Sequence, residues 1–146
     1  MNKIVLISCS SQKQSIKSRA EDLYCSPLFQ LSLKFAKQLA SDSIFILSAK
    51  YGLVRLEDII EPYDTTLNDM TEKDRKQWAD DVLRQLRDIV NCEKDHFIIL
   101  AGNKYRQYII PALISYEVPL KGLTIGKQLQ RLKMLSAKCM TDGGRS

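Results

Sequence analysis

Three short runs of uninterrupted apolar residues punctuate the chain: Ile4 to Ile7, Ile44 to Leu47 and Phe97 to Leu100. Runs of this length, rich in Ile, Val and Phe, suit strands buried on both faces, as in parallel sheets. Between them the apolar positions change period. Leu28, Leu31, Phe35 and Leu39 recur at three- and four-residue steps behind Ser26-Pro27, which offers an N-cap and an N1 proline. Thr71-Glu72-Lys73-Asp74 resembles a capping box with Asp in the usual place of Glu. Trp78, Val82, Leu83, Leu86, Ile89 and Val90 continue it as one apolar stripe. Further helices are expected over Tyr105 to Ile114, kinked or delayed by Pro111, and over Gly126 to Leu135. Leu120 to Ile125 reads as a short extra strand.

Strands alternating with helices imply right-handed crossovers and a parallel sheet. The prediction is an α/β fold: a single Rossmann-like three-layer domain with a mostly parallel sheet of about four strands flanked by helices. It spans residues 1–140, with 141–146 as a flexible tail.

Composition agrees with a globular chain. Of 146 residues 45% are apolar and 27% charged, and the length suits one domain. No apolar run approaches the ~20 residues that span a bilayer, and MNKIVLIS lacks the pattern of a signal peptide. The expected location is the cytoplasm, away from membranes. Cys9, Cys25, Cys92 and Cys139 form no C-x-x-C pair, so they are expected as free thiols, with neither metal nor cofactor.

The net charge is +5. The segment from Lys121 to Ser146 holds the whole excess: Lys121, Lys127, Arg131, Lys133, Lys138 and Arg145 face Asp142 alone. Lys127, Arg131 and Lys133 are candidates for attracting nucleic acid or another polyanion. A solvated helix face explains the same residues.

Each apolar run ends in a polar loop carrying a cation. The loops are Ser8-Cys9-Ser10-Ser11-Gln12-Lys13, Ser48-Ala49-Lys50-Tyr51-Gly52 and Ala101-Gly102-Asn103-Lys104-Tyr105-Arg106. Ligands of open parallel sheets bind beyond the carboxyl ends of the strands. Lys13, Lys50 and Arg106 on one rim, with serine and glycine amides, suit a phosphate or carboxylate. No loop matches a Walker A or a G-x-G-x-x-G pattern.

Glu61-Pro62-Tyr63-Asp64 adds a candidate loop, because Pro62 extends Glu61 and leaves Tyr63 and Asp64 on a connection. Tyr63 reads either as a ligand group or as a packed ring, and Asp64 either as a catalytic carboxylate or as an Asx-turn. Tyr24 reads either as a stacking platform or as a hydrophobic staple ahead of the helix at Pro27. Cys9 has no adjacent base in the sequence, and His96 falls at the opposite end of the third strand, as an exposed strand-edge residue.

The strings SCSSQK, AEDLY-x-SPLF, ILSAKYGLV, PYDTTL and LAGNKYR together resemble a family of small bacterial and phage proteins of unknown function. That family is often labelled by its similarity to the peroxide-stress protein YaaA. The resemblance runs from about Ile4 to Leu132. It implies a Rossmann-like domain akin to that of uracil-DNA-glycosylase-like proteins, and an association with DNA binding and stress response. Its motifs include Ser8, Cys9, Lys13, Asp22, Tyr24, Ser26, Ser48, Lys50, Tyr51, Gly52, Pro62, Tyr63, Asp64, Gly102, Tyr105 and Arg106.

Two functions follow as expectations. The first is an enzyme cleaving or transferring at an N-glycosidic bond of a nucleoside, nucleotide or DNA. Asp64, or Asp22 in its place, would stabilise the oxocarbenium-like sugar. Lys13, Lys50 and Arg106 would hold phosphate, Tyr24, Tyr51 or Tyr63 would stack on the base, and Ser8, Cys9, Ser10, Ser48, Gly52, Gly102 and Tyr105 would line the site. The second is a non-catalytic DNA or nucleotide binder of stress or phage–host conflict, using Lys127, Arg131 and Lys133.

Overall fold

A computed structural model describes the backbone of residues 1–143 and the side chains of residues 1–138. Three parallel strands form the heart of the sheet: β1 (Lys3–Ser8), β3 (Ser43–Ser48) and β6 (His96–Leu100). They are the three apolar runs, each lengthened by one or two residues. The sheet order is β4-β3-β1-β6-β7. β4 (Gly52–Arg55) runs antiparallel to β3, and β7 (Ser115–Glu117) runs parallel to β6. The sheet therefore has five strands and is mostly parallel. A second, two-stranded sheet pairs β2 (Ser18–Arg19) with β5 (Ile59–Ile60). α1 (Ala20–Leu23) follows β2 directly.

The helices follow from their caps and stripes. α2 (Pro27–Gln38) begins with Pro27 at N1, and Ser26 Oγ accepts the Phe29 amide at 3.2 Å. α3 (Glu72–Arg87) is capped by Thr71, whose Oγ1 accepts from the Asp74 amide at 3.1 Å. Trp78, Val82, Leu83 and Leu86 of that stripe are buried. The chain moves from β1 to β3 through α2, and later reaches β6, on β1's other side, through α3. Right-handed crossovers in opposite directions put α2 and α3 on opposite faces, giving three layers. α5 (Ile125–Gly143) packs against α2 through a face that includes buried Leu132 and Ser136.

Four expectations are corrected. β4 was not anticipated: Ala49, Lys50 and Tyr51 turn the chain back, and Gly52 supplies the positive φ of 76° that leaves the turn. Leu120 to Ile125 is not a strand, because Gly122 at φ 78° and the Lys121 amide bonded to the Val118 carbonyl make it a turn. The sheet takes Ser115–Glu117 instead. Tyr105 to Ile114 is not one helix: α4 (Asn103–Arg106) stops early, and Pro111 sits in a separate 3-10 turn at Ile110–Ala112. His96 is half-buried, since β7 lies beside it: Nδ1 pairs with Ser115 Oγ at 2.6 Å and Nε2 with Glu117 Oε2 at 2.9 Å.

Leu53 of β4 gives its amide to Gln85 Oε1 of α3 at 2.9 Å, and Arg55 gives its amide to Asp58 Oδ2 at 2.9 Å. Cys9, Cys25 and Cys92 are free thiols, and the Cys139 side chain lies outside the described residues. So does the end of the expected tail, 144–146, whereas the backbone of α5 continues helical to Gly143. No helix among the described residues is long and apolar enough to cross a membrane.

Candidate functional site

The loop after β1 is pinned before it reaches any ligand. The Cys9 amide extends the pairing with β3 by bonding the Leu47 carbonyl at 3.0 Å. Ser10 Oγ donates to the Gln12 carbonyl at 3.0 Å and closes the turn. Gln12 and Gln14 then pair with Cys25 and Leu23, around a bridge between Lys13 and Tyr24. The PYDTTL segment reaches the same end of the sheet from the far side of β5.

Beneath the loop lies a buried hydroxyl network. Ser48, at the end of β3, is fully buried and donates to the Tyr63 hydroxyl at 2.8 Å. Tyr63 pairs with the Tyr24 hydroxyl at 2.6 Å. Ser48 Oγ also accepts the Tyr51 amide at 3.0 Å, and its carbonyl accepts Trp78 Nε1 at 2.9 Å. The Tyr51 and Tyr24 rings meet Tyr63 edge to face, with centroids 5.6 and 6.4 Å away. Burial pushes the Tyr24 phenol up to about 12, and it pushes Tyr63 higher still, helped by neighbouring Cys9. Both phenols stay protonated, and one of them donates in the bond they share.

Two recesses open above this network, and both have Cys9 and Ser10 in their walls. The larger is a cleft of about 350 Å³. Asp64, Asp69, Lys13, Thr66 and Tyr105 line it with Cys9. Lys13 Nζ stands 4.4 Å from the centre of the Tyr63 ring, a cation–π contact that fixes the ammonium at the cleft wall. Cys9 Sγ lies 3.5 Å from the Tyr105 hydroxyl. Burial, and then Cys9, raise the Tyr105 phenol. The smaller recess is a cavity of about 60 Å³ between the ends of β1 and β6, the start of α2 and Gln128 of α5. Arg106 reaches it with Nη1 donating to the Ala101 carbonyl at 2.7 Å.

The expected residues are therefore distributed rather than convergent. Asp64, Lys13, Cys9, Ser10 and Tyr105 share the cleft, while Ser8, Gly102 and Arg106 share the cavity with Cys9 and Ser10. Lys50, Tyr51 and Gly52 line a third recess with Asp81 and Arg84 of α3, so the three rim cations face three different recesses. The rings of Tyr24 and Tyr63 are packed in the core, which leaves no open face for a base; Tyr51 is half-buried under Lys50. Asp22 is exposed on α1 and lines neither recess. Lys127, Arg131 and Lys133 are exposed on α5, with Arg131 Nη1 also 3.3 Å from the Pro119 carbonyl.

Thr66 and Asp69 were missed as cleft residues, although both lie within five positions of Asp64. Ser32 was missed in the cavity; its signal is a polar residue four positions after Leu28 on the apolar side of α2.

The profile of a family of unknown function (DUF6884) matches residues 4–134. The chain belongs to that family. It is 30% identical over 116 residues to the uncharacterised protein YfjM of Bacillus subtilis (strain 168), covering 75% of each chain. No solved structure matches.

Proposed function

We propose that this member of the DUF6884 family is a nucleotide-directed enzyme that cleaves or transfers at an N-glycosidic bond, with the Asp64 cleft as its active site. The observation that carries the reading is the cleft's composition. Two carboxylates, Asp64 and Asp69, line it together with the Lys13 ammonium and the Cys9 thiol, at the carboxyl ends of the parallel strands. Its 350 Å³ falls within the roughly 300–1,000 Å³ of small-ligand sites.

In hydrolysis the C1′–N bond breaks and its electron pair leaves with the base, which takes up a proton. The oxygen of a water adds to C1′ and loses the proton that restores the balance. The sugar passes through a cationic, oxocarbenium-like state, which a carboxylate stabilises. Asp64 takes this role, Asp69 is the second carboxylate, and Lys13 binds an oxygen of the substrate. If Asp64 attacks C1′ instead, a glycosyl ester forms and the same site transfers the sugar to another acceptor.

The test is base release, followed by chromatography, from nucleosides, nucleoside monophosphates and DNA. Asp64→Asn is expected to lower the rate by about 10²–10⁴-fold with the fold intact. A wild-type protein that releases no base from any of these, or an Asp64→Asn variant with full activity, ends the proposal.

A second reading has its own support. Lys127, Arg131, Lys133 and Lys138 are exposed on α5, and no carboxylate lies between Ile125 and Lys138. With the resemblance to YaaA-type proteins, associated with DNA binding and oxidative stress, this favours a DNA-binding face. Truncation is the wrong test, because α5 buries Leu132 against the rest of the chain. Lys127→Glu with Arg131→Glu should abolish salt-sensitive binding to duplex DNA; unchanged binding by that variant removes the face.

A further inference from the structure

We infer that the small cavity beside Arg106 is a subsite for the terminal phosphate of the substrate, which makes that substrate a nucleoside monophosphate rather than a free nucleoside or a nucleic-acid strand. The identity of the rest of the molecule rests on the reading of the Asp64 cleft given above; the anion subsite stands on its own observations.

The first is position. Sheet order β4-β3-β1-β6-β7 makes the gap between β1 and β6 the place where the chain's direction of winding reverses. In open α/β sheets that crevice is the ligand site. The cavity lies there, with Cys9 and Ser10 after β1 and Ala101 and Gly102 after β6 in its walls.

The second is charge. Arg106 is the one charged residue in the lining, and no carboxylate accompanies it. The neighbouring cleft has the opposite character, with Asp64 and Asp69 against Lys13. A substrate that is anionic at one end and cationic at its reacting sugar in the transition state matches that division.

The third is hydrogen-bonding capacity. Ser32 is 3% exposed and lines the cavity, together with Ser8, Ser10 and Ser26. The start of α2 also lines it. Of the first three helical positions, Pro27 has no N–H and the Phe29 amide is taken by Ser26. The Leu28 amide therefore remains as an uncommitted donor of that terminus, where the helix dipole favours an anion. A guanidinium, a buried hydroxyl and a helix-terminal amide are the donor set of a phosphate site.

The fourth is size. One water needs about 10–15 Å³ on such a measure, and this cavity offers about 60 Å³. A compact polyatomic anion fits; a base or a sugar ring does not. Because Cys9 and Ser10 belong to both recesses, a phosphate in the cavity places the attached sugar at the Asp64 cleft.

Inorganic phosphate is the first probe, read by thermal shift and calorimetry on the full chain. Phosphate should raise the melting temperature of the wild type. Arg106→Gln should weaken it by about tenfold or more, and Ser32→Ala by a smaller factor. Ser32→Ala keeps the packing of α2, so the test survives if Arg106→Gln fails to fold. Absence of any phosphate effect, or equal affinity in wild type and both variants, overturns the subsite. In the second arm, kcat/KM for base release should be at least about tenfold higher for a nucleoside 5′-monophosphate than for the nucleoside, and Arg106→Gln should erase the difference. Equal turnover of nucleoside and monophosphate, or preferred turnover of DNA, overturns the inference and leaves the glycosidic reading standing. Arg106-dependent phosphate binding without base release from any substrate does the reverse: it supports the subsite and removes the glycosidic reading.

Discussion

Replacing Tyr63 by Phe removes one oxygen and keeps the ring. The loss falls on two bonds, to Ser48 Oγ at 2.8 Å and to the Tyr24 hydroxyl at 2.6 Å. Neither partner has water to turn to: Ser48 is 0% and Tyr24 1% exposed. Ser48 keeps the Tyr51 amide as a donor, and it also neighbours the Tyr24 hydroxyl, so part of the network can re-form. The net deficit is one to two neutral buried bonds, or about 1.5–2.5 kcal/mol of stability. Tyr24→Phe removes the other end of the 2.6 Å bond. The double variant should therefore cost about 1 kcal/mol less than the sum of the singles. Urea unfolding measures this through Trp78, the chain's one tryptophan, whose indole bonds the Ser48 carbonyl beside the network. A Tyr63→Phe variant within about 0.5 kcal/mol of wild type, or strict additivity in the double, would refute the network as the site's floor.

Gly52→Ala should destabilise the fold by about 1–3 kcal/mol, because φ is +76° and a Cβ would collide with Gln85 Oε1; a smaller penalty in a Gln85→Ala background would identify the collision. Alkaline stability should follow the buried phenols. Unfolded tyrosines ionise near pH 10, while Tyr24 in the fold is held up to about 12. A raised folded value leaves stability intact below about pH 10 and erodes it as the pH climbs toward 12, so circular dichroism in that window should show a shallower loss for Tyr24→Phe. In native protein an alkylating reagent should modify Cys9 and Cys25 well before Cys92, which is buried and whose thiol burial pushes up; mass spectrometry after brief labelling checks the order.

The sheet's centre was readable because burial on both faces leaves continuous apolar runs, and β1, β3 and β6 contain little else. The edges were not. β7 has the pattern Ser-Tyr-Glu, which carries no apolar signal, and β4 exists because a turn at Gly52 folds an ordinary-looking segment back on β3. That polar loops gather at the strand ends was legible from the apolar runs alone, and two recesses open among them. Their division into an acidic cleft and a cationic cavity was not legible, since Lys13, Lys50 and Arg106 look equivalent along the chain. Only the direction in which each loop turns separates them. Tyr24 and Tyr63 posed the same difficulty: a tyrosine on a loop reads as exposed, and their burial depends on Ser48, a residue on a different element.

The side chains that meet β4 have a consequence for how the molecule behaves among its copies. A sheet's last strand normally offers bare amides to any passing chain, which is how folded proteins are drawn into intermolecular β-structure. Leu53 and Arg55 have already spent theirs on Gln85 and Asp58. The polar plugs, one from a helix and one from a turn, deny a foreign strand its template on that flank. They do so without lengthening the sheet or covering it with another element, and they cost the chain two ordinary hydrophilic residues.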